Sequence, residues 1–153
     1  MVESRLQRKL RERREAAVLA ELGRQLSGLL TGRGMAQEEA PPWIGETVSG
    51  FWDVFVEPYG TLPDDVEPAA VDAWIERLLT RHGVTGRVYV RSPLTGLHWL
   101  ECRVPDGGWV SRVRQAVEDP WVFVSGDLDV VVAVLEGEYY YQAHVGRKLP
   151  GAG

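Results

Sequence analysis

The sequence predicts an α+β domain: an N-terminal helical segment, then an antiparallel sheet of about five strands with helices packed on one face. Three observations carry this reading. The stretch 119–145, DPWVFVSGDLDVVVAVLEGEYYYQAHV, holds three apolar runs separated by Ser125-Gly126-Asp127 and Glu136-Gly137-Glu138. Such runs and breakers mark three consecutive antiparallel strands. Residues 4–31 and 67–82 carry apolar residues at helical spacing. Between the second helix and the final strands lie two further strand-like runs, 86–91 and 97–104.

The elements follow in order. Residues 4–31 are expected to form a long helix, with Ser4 as cap and Gly32 as stop. Leu19, Leu22, Leu26 and Leu29 share one stripe, while the first half offers only Leu6, Leu10 and Ala17. The second half is therefore expected to pack and the first to be solvated. Residues 32–42 read as a linker. Ile44, Val48, Phe51, Trp52 and Phe55 favour a short helix over 44–56, against a competing strand over 51–56 carried by Trp52, Val54 and Val56. Pro58, Gly60 and Pro63 make a turn-rich connector. In 67–82, Val71, Trp74, Ile75, Leu78 and Leu79 form one apolar face; Pro68 opens the helix and Gly83 follows it. A short helix over 109–118 ends before Pro120. Trp121–Val124 is apolar on both sides, as a central strand must be. The tail 146–153 is expected to fray.

For the last two strands, a two-residue turn at Glu136-Gly137 sets Val134 against Tyr139 and Val132 against Tyr141. One face then carries Leu128, Val130, Val132 and Val134 against Tyr139, Tyr141, Ala143 and Val145. The other is mixed and sets Asp129 opposite His144, with Tyr140 and Gln142 beside it. A one-residue slip would scatter polar groups among the valines. Glu is a poor first residue for a type I′ turn, and a three-residue loop with a bulge at Gly137 suits the turn chemistry better, but the match of faces decides for the two-residue turn.

Composition bounds the function. Of 153 residues, 44% are apolar and 25% charged, ordinary for one globular domain. The single cysteine, Cys102, excludes an intrachain disulfide and a cysteine-based metal site, which fits a cytoplasmic protein. No run of about 20 apolar residues provides a membrane span, and no apolar signal segment is evident. Arginine outnumbers lysine 15 to 2, which reads as the codon bias of a GC-rich, bacterial genome. Charge is split: residues 1–33 hold eight basic and four acidic residues (net +4), and the remainder nine basic and 18 acidic (net −9). This divides the chain into a basic helical arm (1–33), a linker with a short helix (34–66) and an α+β body (67–148).

No motif specifies a reaction. His98 and Cys102 on one strand would lie about 13 Å apart, too far for a thiolate–imidazole dyad. The ordinary reading of Cys102 is a small core residue. Asp127 and Asp129, near Glu118 and Asp119, offer carboxylates about 7 Å apart but no calcium-loop spacing; ending a turn is the simpler role for Asp127. His82 falls in a helix's last turn, where the dipole favours a cation. Asp129 with His144 would make a pH-sensitive cross-strand pair, or, with Tyr140, the acid–base end of an active site. Tyr140, Gln142, His144 and Asp129 are also the candidate binding surface, an amphipathic aromatic patch unless a helix covers it. Six tryptophans are more than core packing usually needs and point to an exposed aromatic groove, the alternative being that all six are internal. Arg5, Arg8, Lys9, Arg11, Arg13 and Arg14 could contact nucleic acid or an acidic partner. Glu12 and Glu15 blunt that basic face, and Glu15 following Arg11 suits a solvated i,i+4 pair.

From residue 67 the element order resembles that of roadblock-type and other profilin-like domains, over about half the chain. The resemblance lies in element order, without a roadblock residue motif, and implies a dimeric scaffolding module.

The expected function is a small non-enzymatic protein-binding module of adaptor, chaperone or immunity type. The alternatives are a nucleic-acid-associated protein using residues 1–33, and an enzyme using Asp129, His144 and Tyr140. No cofactor and no metal are expected. Self-association through the N-terminal helix is compatible with each.

Overall fold

The computed structural model describes residues 2–53 and 55–150. Its elements are α1 (Arg5–Gln25), β1 (Leu30–Met35), a 3-10 turn (Gln37–Glu39), α2 (Pro42–Phe51), β2 (Gly60–Pro63), α3 (Pro68–Arg81), β3 (Arg87–Arg91), β4 (Trp99–Arg103), α4 (Val110–Ala116), β5 (Trp121–Ser125), β6 (Val130–Glu136) and β7 (Tyr140–Arg147). The strands form one antiparallel sheet in the order β1-β4-β3-β5-β6-β7-β2. The chain is of the α+β class. Among the described residues, no helix is long and apolar enough to cross a membrane.

The sheet has seven strands rather than about five, because segments expected as helix end, linker and connector supply both edges. The residues of β1, LTGRGM, pair with β4, with an irregularity between Leu30 and Gly34. Gly34 is required there: a Cβ at that position would run into the Trp99 carbonyl. At the other edge β2 pairs with β7, ending on Pro63, whose missing N–H costs nothing on an outer strand. α1 stops at Gln25, short of the expected Gly32. Gly28, at φ +85°, turns the chain out of the helix into β1. Ser4 caps α1 as expected, its hydroxyl accepting from the Gln7 N–H and its own N–H donating to the Gln7 side chain.

Packing is two-sided, which corrects the expectation of helices on one face. α1, α3 and α4 cover one face, where Leu22, Leu26, Ile75, Leu79, Val110 and Val113 meet Val88, Val90, Phe123, Val132 and Val134. α2 lies on the other face, with Ile44, Val48 and Phe51 against Trp99, Val122, Val124, Val131 and Ala133. The spacing that predicts a helix over 44–56 is realised as α2, ending at Phe51; Val54 lies outside the described residues. β5, expected as central, is buried at every residue. The Glu76 carboxylate accepts the N–H groups of Gly108, Trp109 and Val110 and so fixes the start of α4 onto α3.

The β6–β7 register differs from the expected one. Val134 pairs with Ala143 and Val132 with Val145, four residues further along β7. The chain reverses through Gly137–Tyr140, where the Gly137 N–H donates to the Tyr140 carbonyl. The Glu-Gly pair was a poor two-residue turn, and a longer loop replaces it. A slip by an even number keeps the paired side chains of β6 and β7 on their expected faces, but Leu128, before β6, packs against the α2-side cluster instead, and Tyr139 lies exposed in the loop. Gly146 and Arg147, expected to fray, complete β7 instead.

At Gly146 α2 packs closely on the sheet. A Cβ there would overlap the Thr47 methyl and press on the Phe51 ring and Val131. Gly146→Val is therefore expected to destabilise the fold by about 1–3 kcal/mol through overpacking, read as a lowered urea midpoint.

Candidate functional site

The site follows from a mismatch of dimensions. Seven strands at about 4.8 Å spacing make a sheet about 30 Å wide, and a ten-residue α2 is about 15 Å long. α2 cannot cover its face. At the end of the sheet where β3 and β6 finish and β5 and β7 begin, the face stays open. A cavity of about 700 Å³ lies there, lined by Phe51, Trp52, Phe55, Val56, Pro120 and Leu135, with Asp53, Glu57 and Gln142 at its polar margin. Tyr140, on the same face of β7 as Gln142, is 51% exposed beside it. Phe55, at 91% exposure, has almost none of its ring covered. Trp52 also lines a second cavity of about 310 Å³ that runs along α2, past Ser49, Gly45 and Pro42, and faces Arg91, His98 and Trp99. The two cavities share Trp52 at the C-terminal end of α2 and are together called the trough.

The trough is electrically uneven. Asp53 and Glu57 mark one end. At the other, half-buried Arg91 donates to the Pro120 carbonyl at 3.1 Å and joins no ion pair among the described residues. Burial lowers its pKa. His98 holds Nδ1 3.3 Å from the Leu94 carbonyl, and burial lowers its pKa as well.

The expected site residues part company. Gln142 lines the trough, and Tyr140 stands exposed on the same face of β7. His144 is 3% exposed, stacked under Phe51 with ring centres 5.1 Å apart and edge-on to Trp52. It faces Ala133, not Asp129. Asp129, exposed in the turn before β6, uses its carbonyl to accept the Lys148 N–H. The four-residue shift in pairing thus removes the expected Asp129–His144 pair, and the structure does not bring Asp129, His144 and Tyr140 together. Asp127 ends its turn, accepting from the Ser125 hydroxyl at 2.6 Å and the Asp129 N–H at 3.1 Å; the Ser125 hydrogen bond leads in lowering its pKa.

His82 also departs from expectation. It caps α3, but burial first, then Arg147 and Arg81, lower its pKa. Arg147 approaches its Nδ1 to 3.0 Å, a donor meeting a neutral imidazole. Cys102 is fully buried, and burial pushes its thiol up to about 12. A thiol so held is no nucleophile.

Only the first part of the basic arm, residues 5–14, is free of the body. Arg5, Arg8, Lys9, Arg11, Arg13 and Arg14 are all exposed. Arg8 and Arg11 approach Glu3 at 3.9 and 3.0 Å. Glu15 does not pair with Arg11 as expected; its carboxylate accepts the Thr95 N–H at 2.6 Å and hydroxyl at 2.7 Å, which hold its pKa below the ordinary value.

Sequence reasoning missed Phe55, Val56, Pro58, Pro120 and Leu135 as site residues. One signal was present: Phe55 continues the apolar period of α2 beyond the point where the helix stops.

His144 gives the fold a pH dependence. Burial holds its imidazole below 6.5, so it is neutral when folded and charges more readily in the unfolded chain. The unfolded state then binds more protons below its pKa, and stability falls as pH drops. The urea midpoint is expected to decline between about pH 7 and pH 5, and less steeply in His144→Phe, which keeps the stacked ring. An unchanged pH slope in that variant would contradict the assignment to His144.

No family model, curated protein or solved structure matches this chain.

Proposed function

We propose that this chain is a small non-enzymatic, cytoplasmic module of adaptor, chaperone or immunity type that binds a polypeptide segment in the trough around α2. The observation that supports this best is the uncovered aromatic surface of Trp52 and Phe55 beside apolar Val56, Pro120 and Leu135. Contiguous exposed apolar surface of this kind marks interaction sites, and aromatic anchors in a pocket carry most of the energy of an interface. The acidic margin of Asp53 and Glu57 favours a segment that joins apolar anchors to basic residues.

The test is site-specific photocrosslinking in cells that express the full chain. A photoreactive phenylalanine in place of Phe55 is expected to capture a polypeptide. The same group in place of exposed Thr80, on the helical face opposite, is expected to capture none. Equal capture at both positions, or none at Phe55, would overturn the reading.

A second reading, a nucleic-acid contact through the arm, is favoured by the exposure of Arg5, Lys9, Arg13 and Arg14, none of which joins an ion pair among the described residues. It requires an affinity that falls steeply with salt and disappears when these four become alanine in the full chain.

A further inference from the structure

We propose that the segment taken by the trough is the N-terminal arm of a second copy of this chain, so that two copies exchange arms. This rests on the trough being a polypeptide site and names its occupant.

The first observation is the phase of α1. Leu22 is buried on the body, with Leu19 packed beside it. Leu10 precedes Leu19 by nine residues, and Leu6 precedes Leu22 by sixteen. At about 100° per residue, these separations turn Leu10 and Leu6 about 180° and 160° away from the docked stripe. Leu6 is 67% exposed and Leu10 44%. A rigid helix cannot turn these two leucines onto the body that already holds its opposite side. Any apolar surface that covers them comes from another molecule.

The second observation is charge. Val2, Leu6 and Leu10 recur every four residues, with Lys9 and Arg13 on the same side of the helix. This is the apolar-and-basic segment that the trough's chemistry selects. The arm carries net +4 and the remainder of the chain net −9. Asp53 and Glu57 at the trough, and Glu118, Asp119, Glu136 and Glu138 on neighbouring loops and strand ends, give that end of the body its share of the negative charge.

The third observation is position. Glu15 ties α1 to Thr95 in the β3–β4 connection. Residues 5–14 therefore leave the body at the end of the sheet where β3 finishes and β4 begins, which is the end where the trough opens. An arm and its receptor at one end of the molecule suit a two-fold pair, in which each copy gives an arm and receives one.

Sedimentation equilibrium of the full chain tests this. A reversible dimer is expected, weakening as salt is raised. Leu10→Glu and Phe55→Asp are each expected to raise the dimer dissociation constant about ten- to a hundredfold. Both side chains are exposed in the single chain, so at concentrations where the parent chain is itself monomeric the melting temperature should hold in both variants. Mixing the two variants distinguishes exchange from any other contact. Leu10→Glu keeps an intact trough and Phe55→Asp an intact arm, so the mixture recovers one of the two contacts and should associate more strongly than either variant alone. A mixture no stronger than its components overturns arm exchange, as does a dimer indifferent to Leu10→Glu. A chain that stays monomeric while the Phe55 photoprobe captures a different protein also overturns it and leaves the binding-module reading standing. A chain that stays monomeric with no Phe55 adduct overturns both.

Discussion

Phe55→Asp is expected to abolish partner capture without unfolding the protein. Burying an aromatic anchor in an interface contributes about 2 kcal/mol or more, which is roughly thirtyfold in affinity. A carboxylate at the same place would also bring a hydrated charge to the apolar lining, beside Asp53 and Glu57, where the anchor's apolar partner must be desolvated. The folded chain loses almost nothing, because Phe55 is 91% exposed. The change in unfolding free energy should stay within about 0.5 kcal/mol. Isothermal titration with the captured polypeptide measures the first quantity and urea unfolding the second. Full affinity in the variant would show that the trough is not the binding surface.

Phe123→Ala is expected to have the largest effect on stability. Phe123 lies in β5, the strand with three neighbours on either side in the sheet order. It pairs with Val90 on one flank and Val132 on the other. Its ring is fully buried and meets Trp109 edge-to-face, with centres 5.7 Å apart. Truncation removes the ring's burial and leaves a cavity between the sheet and the start of α4, at a cost of about 3–5 kcal/mol. Against a typical total of about 5–15 kcal/mol, that leaves a marginal protein. Urea unfolding gives the number directly; a loss below about 1 kcal/mol would contradict the central place of β5.

The two positions show what was legible in the sequence and what was not. Phe123 belongs to a run apolar on both sides, and period and burial are what a sequence pattern records. The same logic found α3 and kept the faces of β6 and β7 right, because Val130, Val132 and Val134 alternate with the period of the strand. The edges were illegible. β1 and β2 are held by main-chain pairing, through residues such as Gly34 and Pro63 that carry little apolar side chain, and main-chain pairing leaves no mark on hydrophobic periodicity. The end of α1 was overshot for a related reason: Leu26 and Leu29 continue the helical stripe in register, yet Gly28 has already turned the chain.

The candidate site was half legible. Tyr140 and Gln142 lie on the mixed face of a recognisable hairpin. Phe55 and Pro120 come from connections, and what joins them to that hairpin is the short reach of α2 across a wide sheet. His144 was assigned to the correct face, but its partner depended on the register, and the four-residue loop moved it under Phe51. The surplus of tryptophan belongs mostly to the core: Trp99, Trp109 and Trp121 are buried and Trp43 and Trp74 half-buried, and Trp52, at 37% exposure, is the one that lines both cavities.

Amide hydrogen exchange of the full chain, free and bound to the polypeptide captured at Phe55, tests the central claim most directly. The expected result is slowed exchange on binding in the segment from Trp52 to Pro58 and in β7 from Tyr140 to Gln142, with α3 and α4 unchanged. Protection confined to α3 and α4, or to the arm with the trough unaltered, would contradict it.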